Sequence, residues 1–235
     1  MAGSKPRPQK HPASLVTAST DSRPTARSQG TSLSERQVHI VRSAYRLFAE
    51  RGVERVPIHE VAAAAGVSKS IVLYYFKTKE HLVGAAMSWV LEEIGDRVRQ
   101  SVAGAATPED AVRKMIETIF LGPVPSRRFY LTYLDLIDHA ARVNGFGQIS
   151  ATFRATVNEV YAEVIRNGVA TGAFFVGDVD EAATAVRAIV EGLHFQWLQE
   201  DHWRERHEWY KRACTNAVLA YLLNSASISP SLLAD

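Results

Sequence analysis

The chain has 235 residues, 46% of them hydrophobic and 22% charged, with a net charge of +2. That composition fits a globular protein built as one large domain or as a small one joined to a medium one. No run approaches the roughly 18 apolar residues of a membrane span, and residues 1–31 hold Pro, Ser, Thr, Lys and Arg where a secretory signal would be apolar, so a cytoplasmic location is expected. The single cysteine, Cys214, cannot form an intramolecular disulfide. Its apolar surroundings predict an inert buried thiol, with a redox role as the alternative. Charge is uneven: residues 1–32 carry five Lys/Arg and one acid, 33–85 eight and five, and 86–235 fourteen and nineteen. A basic first third before an acidic remainder suggests a DNA-facing end, although chance surface charge would give the same balance.

Residues 1–31 contain four prolines and little to bury, and are expected to be a disordered basic tail. From Leu33 onward the periodicity is helical throughout. Ser32 with Glu35, or Ser34 with Gln37, makes a capping box. Val38, Val41, Ala44, Tyr45 and Phe48 then form a buried stripe that Gly52 ends. Short helices are predicted over Ile58–Ala65 and Ser68–Leu73, then a long one from Thr78 to about Gly104. Thr107-Pro108-Glu109-Asp110 is a cap, a first-turn proline and two acids, opening a helix that ends near Gly122-Pro123. Further helices are predicted from Pro125 to Val143, Gln148 to Thr171, Asp178 to Glu200 and Arg204 to Leu223. With no strand signal, the fold class is all-α with about nine helices. The expected organisation is a helix-turn-helix domain over 32–87, a larger helical domain over 88–225, and a flexible tail over 226–235.

Within Ile58–Val72, Ala62 is small enough for two helices to cross closely. Gly66 can adopt the left-handed conformation of a tight turn, Val67 plugs the space between the helices, and Ser68 can cap the next one. This is the sequence face of a helix-turn-helix. Tyr74-Tyr75-Phe76-Lys77-Thr78-Lys79-Glu80-His81-Leu82 follows.

The order of elements from Phe48 through Gly52, Ala65-Gly66-Val67-Ser68 and Phe76 to Lys79-Glu80-His81-Leu82 resembles the N-terminal domain of the TetR family of transcriptional repressors. The resemblance implies a homodimer on a pseudo-palindromic double-stranded DNA operator, and a small-molecule effector. It implies DNA contact by Ser68, Lys69, Ser70 and Leu73 on the recognition helix, by Tyr74 and Tyr75 on the sugar-phosphate backbone, and by Lys79 on phosphate. The plain alternatives are packing for the tyrosines and solvation for the lysines. Ser70 stands where the family often has Gly, Leu73 where it often has Tyr, and Pro57 where it often has Thr, so no relative's half-site can be borrowed. The segment Ile71–Phe76 is most similar to choline-responsive repressors.

In the second part, Val186, Ile189, Val190, Leu193 and Trp197 form one stripe, and Ala213, Ala217, Leu219, Ala220 and Leu223 another. Either could be a dimer face, as the resemblance implies, or an internal core. Candidate effector-binding residues are Trp89, Phe120, Tyr130, Tyr133, Phe153, Tyr161, His194 and Trp197, with Phe129 beside them. Tyr130, Tyr133, Leu134 and Ile137 follow helical spacing, as do Phe153, Val157, Val160, Tyr161 and Val164, and such stripes equally describe core. An apolar or amphipathic ligand would suit a pocket of this kind. A quaternary ammonium would use a Trp/Tyr cage, and an anion Arg127 or Arg128.

Neither a phosphate loop, a nucleophile elbow nor a His-Glu-x-x-His motif is present, so no catalytic residues, cofactor or metal are assigned. His202 and His207 are five apart, off the spacing that places two ligands on one helix face. Asp135, Asp138 and His139 share a helix and are the weaker metal alternative. A ligand-independent DNA-binding protein would have the same head and no pocket.

Overall fold

The computed structural model describes residues 33–142 and 146–224, with backbone alone at 140, 142 and 146–154. The tails expected over 1–31 and 226–235 lie outside the described residues. Among the described residues there are nine α-helices and no strand: α1 Glu35–Arg51, α2 Ile58–Ala64, α3 Lys69–Phe76, α4 Lys79–Val102, α5 Pro108–Ile119, α6 Pro123–Arg142, α7 Phe146–Ala170, α8 Val179–Leu198 and α9 Trp203–Asn224.

Local chemistry sets the helix starts. Of the two capping boxes open to α1, the second is used: Ser34 Oγ accepts from Gln37 N at 3.4 Å, and Ser34 N donates to Gln37 Oε1 at 3.0 Å. Gly52, at φ +81°, ends the helix. Thr107 caps α5 through Asp110 N at 3.1 Å, with Pro108 in the first turn, where no amide partner is needed. Asp178 Oδ1 accepts from Asp180 N and Glu181 N, both at 2.8 Å, and opens α8.

Several helix boundaries differ from expectation by two or three residues. Helix α3 runs to Phe76, three residues past Leu73, because Val72 and Phe76 lie one turn apart on its buried face. Helix α5 stops at Ile119, where Phe120 turns the chain. Helix α6 begins at Pro123, since Pro123 and Pro125 both occupy a first turn that has no amide to satisfy. Helix α4 passes without a break through the boundary expected after Met87.

Two hydrophobic clusters organise the packing. One joins Ile40, Phe48, Val72, Phe76 and Leu82 to Tyr130, Tyr133 and Leu136 of α6. The other holds Met115, Ile116, Ile165, Trp197, Cys214 and Leu222. The buried face of α6 therefore runs through Tyr130, Tyr133 and Leu136, while Leu134 and Ile137, which follow the same spacing, point to solvent. Val186, Val190, Trp197 and Leu219 from the stripes of the last two helices are buried within the chain, whereas Ala220 and Leu223 are exposed. Burial pushes the Cys214 thiol up to about 12, which keeps it protonated and unreactive at neutral pH.

The end of α7 depends on a close approach. Ala173 N and Phe174 N both donate to Gly168 O, at 2.9 and 3.2 Å, folding the buried Phe174 ring back over the helix. A Cβ at Gly168 would collide with the Phe174 ring. Gly168→Ala is expected to lower unfolding free energy by about 1–3 kcal/mol, the usual cost of overpacking. Urea denaturation measures it, and a loss below a few tenths would contradict the packing described.

Candidate nucleic-acid interface and adjoining cavity

The turn between α2 and α3 is built from backbone bonds that small residues permit. Ala65 N donates to Val61 O at 2.9 Å, Gly66 N to Ala63 O at 3.1 Å, and Val67 N to Ala62 O at 2.9 Å, with Gly66 at φ +62°. Val61, Ala62 and Ala65 are buried, so the two helices cross over alanine faces. Ser68 Oγ accepts from Ile71 N at 3.3 Å and caps α3. An ion pair between Arg51 and Glu60 holds the end of α1 to α2.

With its core face occupied by Val72 and Phe76, α3 presents the rest outward. Ser68, Lys69 and Ser70 are exposed at its start, and Leu73 is half-buried. Tyr74 is 71% exposed, unusual for a large aromatic side chain. Its ring meets the half-buried Tyr75 edge-on at 5.3 Å, and Lys77 Nζ lies 5.2 Å above it. Lys79 is half-buried, and its ammonium donates to Glu54 O at 3.3 Å. The sequence reading missed Lys77. Among the described residues it is the one non-glycine residue at positive φ, at +61°. Thr78 N closes a three-residue turn onto Phe76 O at 2.6 Å, which swings the chain from α3 into α4.

Behind this head lies a cavity of about 400 Å³ between α1, α4, α5, α6, α7 and α8. Of the residues expected to bind an effector, Trp89, Tyr130, Tyr133 and Tyr161 line it. Phe120, His194 and Trp197 do not line it: His194 is sandwiched at 3.8 Å between the rings of Phe120 and Tyr130, and Trp197 Nε1 donates to Trp203 O. The side chain of Phe153 is outside the described residues. Phe129, Val157 and Glu191 also line the space, and so do two residues of α1: Tyr45, expected in that helix's buried stripe, and Arg42, to which the sequence assigns no role. Glu191 Oε1 accepts from Arg187 Nε and from the Tyr133 hydroxyl, each at 2.7 Å, so its charge is neutralised within the wall. Arg127, offered for an anion, is committed elsewhere: Nη1 donates to Leu198 O at 3.0 Å.

The family model described as "Bacterial regulatory proteins, tetR family" matches residues 40–86, and the one described as "BetI-type transcriptional repressor, C-terminal" matches residues 108–222. Together they span more than half of the chain. The chain belongs to the TetR family. Among similar proteins is the HTH-type transcriptional repressor KstR2 of Rhodococcus jostii, 25% identical over 76% of this chain and 81% of the relative. The HTH-type transcriptional regulator BetI of Rhizobium meliloti is 24% identical over 68% and 77%. A protein from Saccharomonospora viridis, solved in complex with choline, superposes with a TM-score of 0.64 at 22% identity over 78% of this chain and 95% of that one. The chain is thus a TetR-family helix-turn-helix transcriptional repressor, and its relatives are regulators and not enzymes. Among the described residues, no helix is long and apolar enough to cross a membrane.

In this TetR-family chain α6 is tied directly to the DNA-reading head. Val53 N, in the loop before α2, donates to Asp135 Oδ2 at 2.6 Å, and one turn on His139 Nδ1 lies 2.6 Å from Glu54 Oε1. Asp135 and His139 therefore serve as struts, and among the described residues no three metal-ligating side chains converge. Asp135→Ala would leave a part-buried amide without a partner and is expected to cost about 1–3 kcal/mol by chemical denaturation. A neutral outcome would show that water replaces the carboxylate.

His194 gives the fold a pH dependence. It is fully buried, Nδ1 lies 2.9 Å from Val190 O, and burial drives its pKa from 6.5 down to about 3. The unfolded chain therefore takes up a proton near pH 6.5 that the folded chain refuses. Stability is full above that pH and falls as pH drops toward 3, by at most about 1.4 kcal/mol per pH unit from this group. The buried His207, also lowered by burial, acts in the same direction. Denaturation midpoints between pH 7 and 5 should decline less steeply in His194→Phe; an unaltered slope would assign the acid sensitivity to other groups.

Proposed function

We propose that this repressor is a homodimer that reads a pseudo-palindromic operator with α3 and leaves it when a small apolar or amphipathic molecule occupies the cavity. Residues 32–87 form the reading head and 88–225 the effector-binding and dimerisation part. The observation that carries the DNA reading is the outward face of α3. Ser68, Lys69 and Ser70 are exposed at its start, where side chains reach base edges and phosphates, and Leu73 follows one turn later. Tyr74 and Tyr75 at the end of the helix lie against the sugar-phosphate backbone, and Lys79 approaches a phosphate from the first turn of α4. Two-fold symmetry then sets half-sites roughly 34–36 Å apart or at a multiple of that spacing.

The dimer face is the part of α8 and α9 that the chain itself leaves uncovered. Ala188 on α8, and Trp209, Ala220 and Leu223 on α9, are exposed, with the half-buried Ile189, Gly192, Ala213 and Ala217 between them. Effector release is supported by the cavity, which a ligand-independent DNA-binding protein would not need. Its walls come from α1, α4 and α6, helices that also pack the head, so an occupant touches elements whose position the head shares. A coupling of about 1–3 kcal/mol between the two sites is enough to change operator occupancy substantially. The similarity of Ile71–Phe76 to choline-responsive repressors makes a quaternary ammonium one ligand class to weigh.

The test begins with selection of bound genomic fragments by the wild-type protein. Against the recovered operator, Lys69→Ala and Tyr75→Ala should each weaken binding at least tenfold while sedimentation still reports a dimer, and Lys69→Ala should reduce the salt slope by about one. Unchanged binding through a salt titration would overturn the assignment of α3. Sedimentation of the wild type as a monomer at micromolar concentration would overturn the dimer.

A further inference from the structure

Resting on the reading of the cavity as an effector site, we propose that its ligand is an amphipathic organic anion, an apolar body ending in a carboxylate whose head is held by Arg42, Arg97 and Arg128. The three arginines come from α1, α4 and α6 and all border the cavity. All three are exposed, which places them at the mouth and not in the depth.

Trp89 and Tyr45, which touch one another, link them. The Arg42 guanidinium lies 5.6 Å from the centroid of the Trp89 ring, and that ring meets Tyr45 edge-on at 6.1 Å. Arg97 and Arg128 both act electrostatically on the Tyr45 hydroxyl, favouring its ionised form against the burial that raises its pKa to about 12. Arg97 uses its Nε on Glu93 O at 3.2 Å, which leaves the outer nitrogens of its fork available. Among the described residues none of the three is paired with a carboxylate.

The acids that face the space do not cancel them. Glu191 is neutralised by Arg187 at 2.7 Å. Glu93, exposed, stands as one negative charge against three positive ones. A guanidinium presents a planar fork that matches a carboxylate through two parallel hydrogen bonds. A cationic head would enter the same mouth against like charge. Beyond the arginines the wall is apolar and aromatic: Phe129, Tyr130, Val157, Val160 and Tyr161 enclose the body. The volume of about 400 Å³ falls within the range of roughly 300–1,000 Å³ that takes a compact organic ligand.

The test uses the full chain and three probes that share one body and differ in head charge: decanoate, decanol and decyltrimethylammonium, each below its micellar concentration, measured by calorimetry. Decanoate is expected to bind at least tenfold more tightly than decanol, with the ammonium weakest. Arg42→Gln combined with Arg128→Gln should weaken decanoate about tenfold more than it weakens decanol, the usual scale for losing hydrogen bonds to a charged group. Because the variant is scored by the ratio of the two probes, a general loss of folding cannot imitate the result. If the ammonium or the alcohol matches decanoate, or the ratio is unmoved in the double variant, the anion assignment falls and the cavity reading stands. If none of the three binds, the cavity reading falls with it.

Discussion

The amide of Val53 finds its partner 82 residues away, on the carboxylate of Asp135. A backbone amide withdrawn from water must be satisfied somewhere, and the turn within the loop between α1 and α2 satisfies Val56 N, which donates to Val53 O at 3.3 Å, and not Val53 N. Gly52 shapes that loop with its positive φ, and a Cβ there would already touch Asp135 Oδ2 at 3.5 Å. His139 and Glu54 repeat the link one turn further along. These contacts, with Tyr130, Tyr133 and Leu136 buried among Phe48, Phe76 and Leu82, make α6 part of the core on which the reading helix rests. The same helix supplies Arg128, Phe129, Tyr130 and Tyr133 to the cavity. Head and cavity are thus two sides of one element, and a ligand that changes the seat of α6 acts on the loop that precedes the helix-turn-helix.

A second constraint explains why the interior of the cavity is electrically quiet and its mouth is not. The Tyr133 hydroxyl donates to Glu191 and accepts from Arg187 Nη2 at 2.8 Å, while Arg187 Nη1 reaches Asn158 Oδ1 at 3.4 Å. A charge in this half-buried wall is tolerated because its partner and its hydrogen bonds are complete. The network joins α6, α7 and α8 and leaves no net charge facing inward. The uncompensated charge sits on arginines from α1, α4 and α6, where water still reaches it.

The reading head was legible from sequence because its signals are local. A cap at Ser68, a glycine at 66, alanines at the helix crossing and an aromatic segment ending in Phe76 each act within a few residues. The cavity was only partly legible. Helical spacing marks a face that is covered, but Trp89, Tyr130, Tyr133 and Tyr161 border a void while the ring of His194, equally well spaced, packs against Phe120 on one side and Trp197 on another. The difference lies in how helices distant in sequence approach, which periodicity does not encode. Arg42 was hidden for the same reason, and Tyr45 stood in the visible stripe without its neighbour being evident: α1 has one face toward the head core at Phe48 and another toward the cavity. In α6 the alternation of Tyr133 and Leu134, one buried and one exposed, separates on a rotation of one residue that spacing alone leaves open.

Resemblance and charge both bear on the cavity, and they point to different ligands. The segment similar to choline-responsive repressors is Ile71–Phe76, and it lies in α3, on the surface proposed to meet DNA. Likeness there bears on how an operator is approached. The BetI-type match over residues 108–222 takes in the α5 to α8 walls of the cavity, where the aromatic rings alone would accept a quaternary ammonium or a hydrocarbon equally well. Arginines decide between them. At the mouth, three guanidinium groups, none paired with a carboxylate among the described residues, outnumber the one carboxylate of Glu93, so the local field attracts an anion and repels a cation. Two of the three arginines, Arg42 and Arg97, stand outside the residues 108–222 that match the BetI-type model, and Arg42 belongs to a helix that the head and the cavity share.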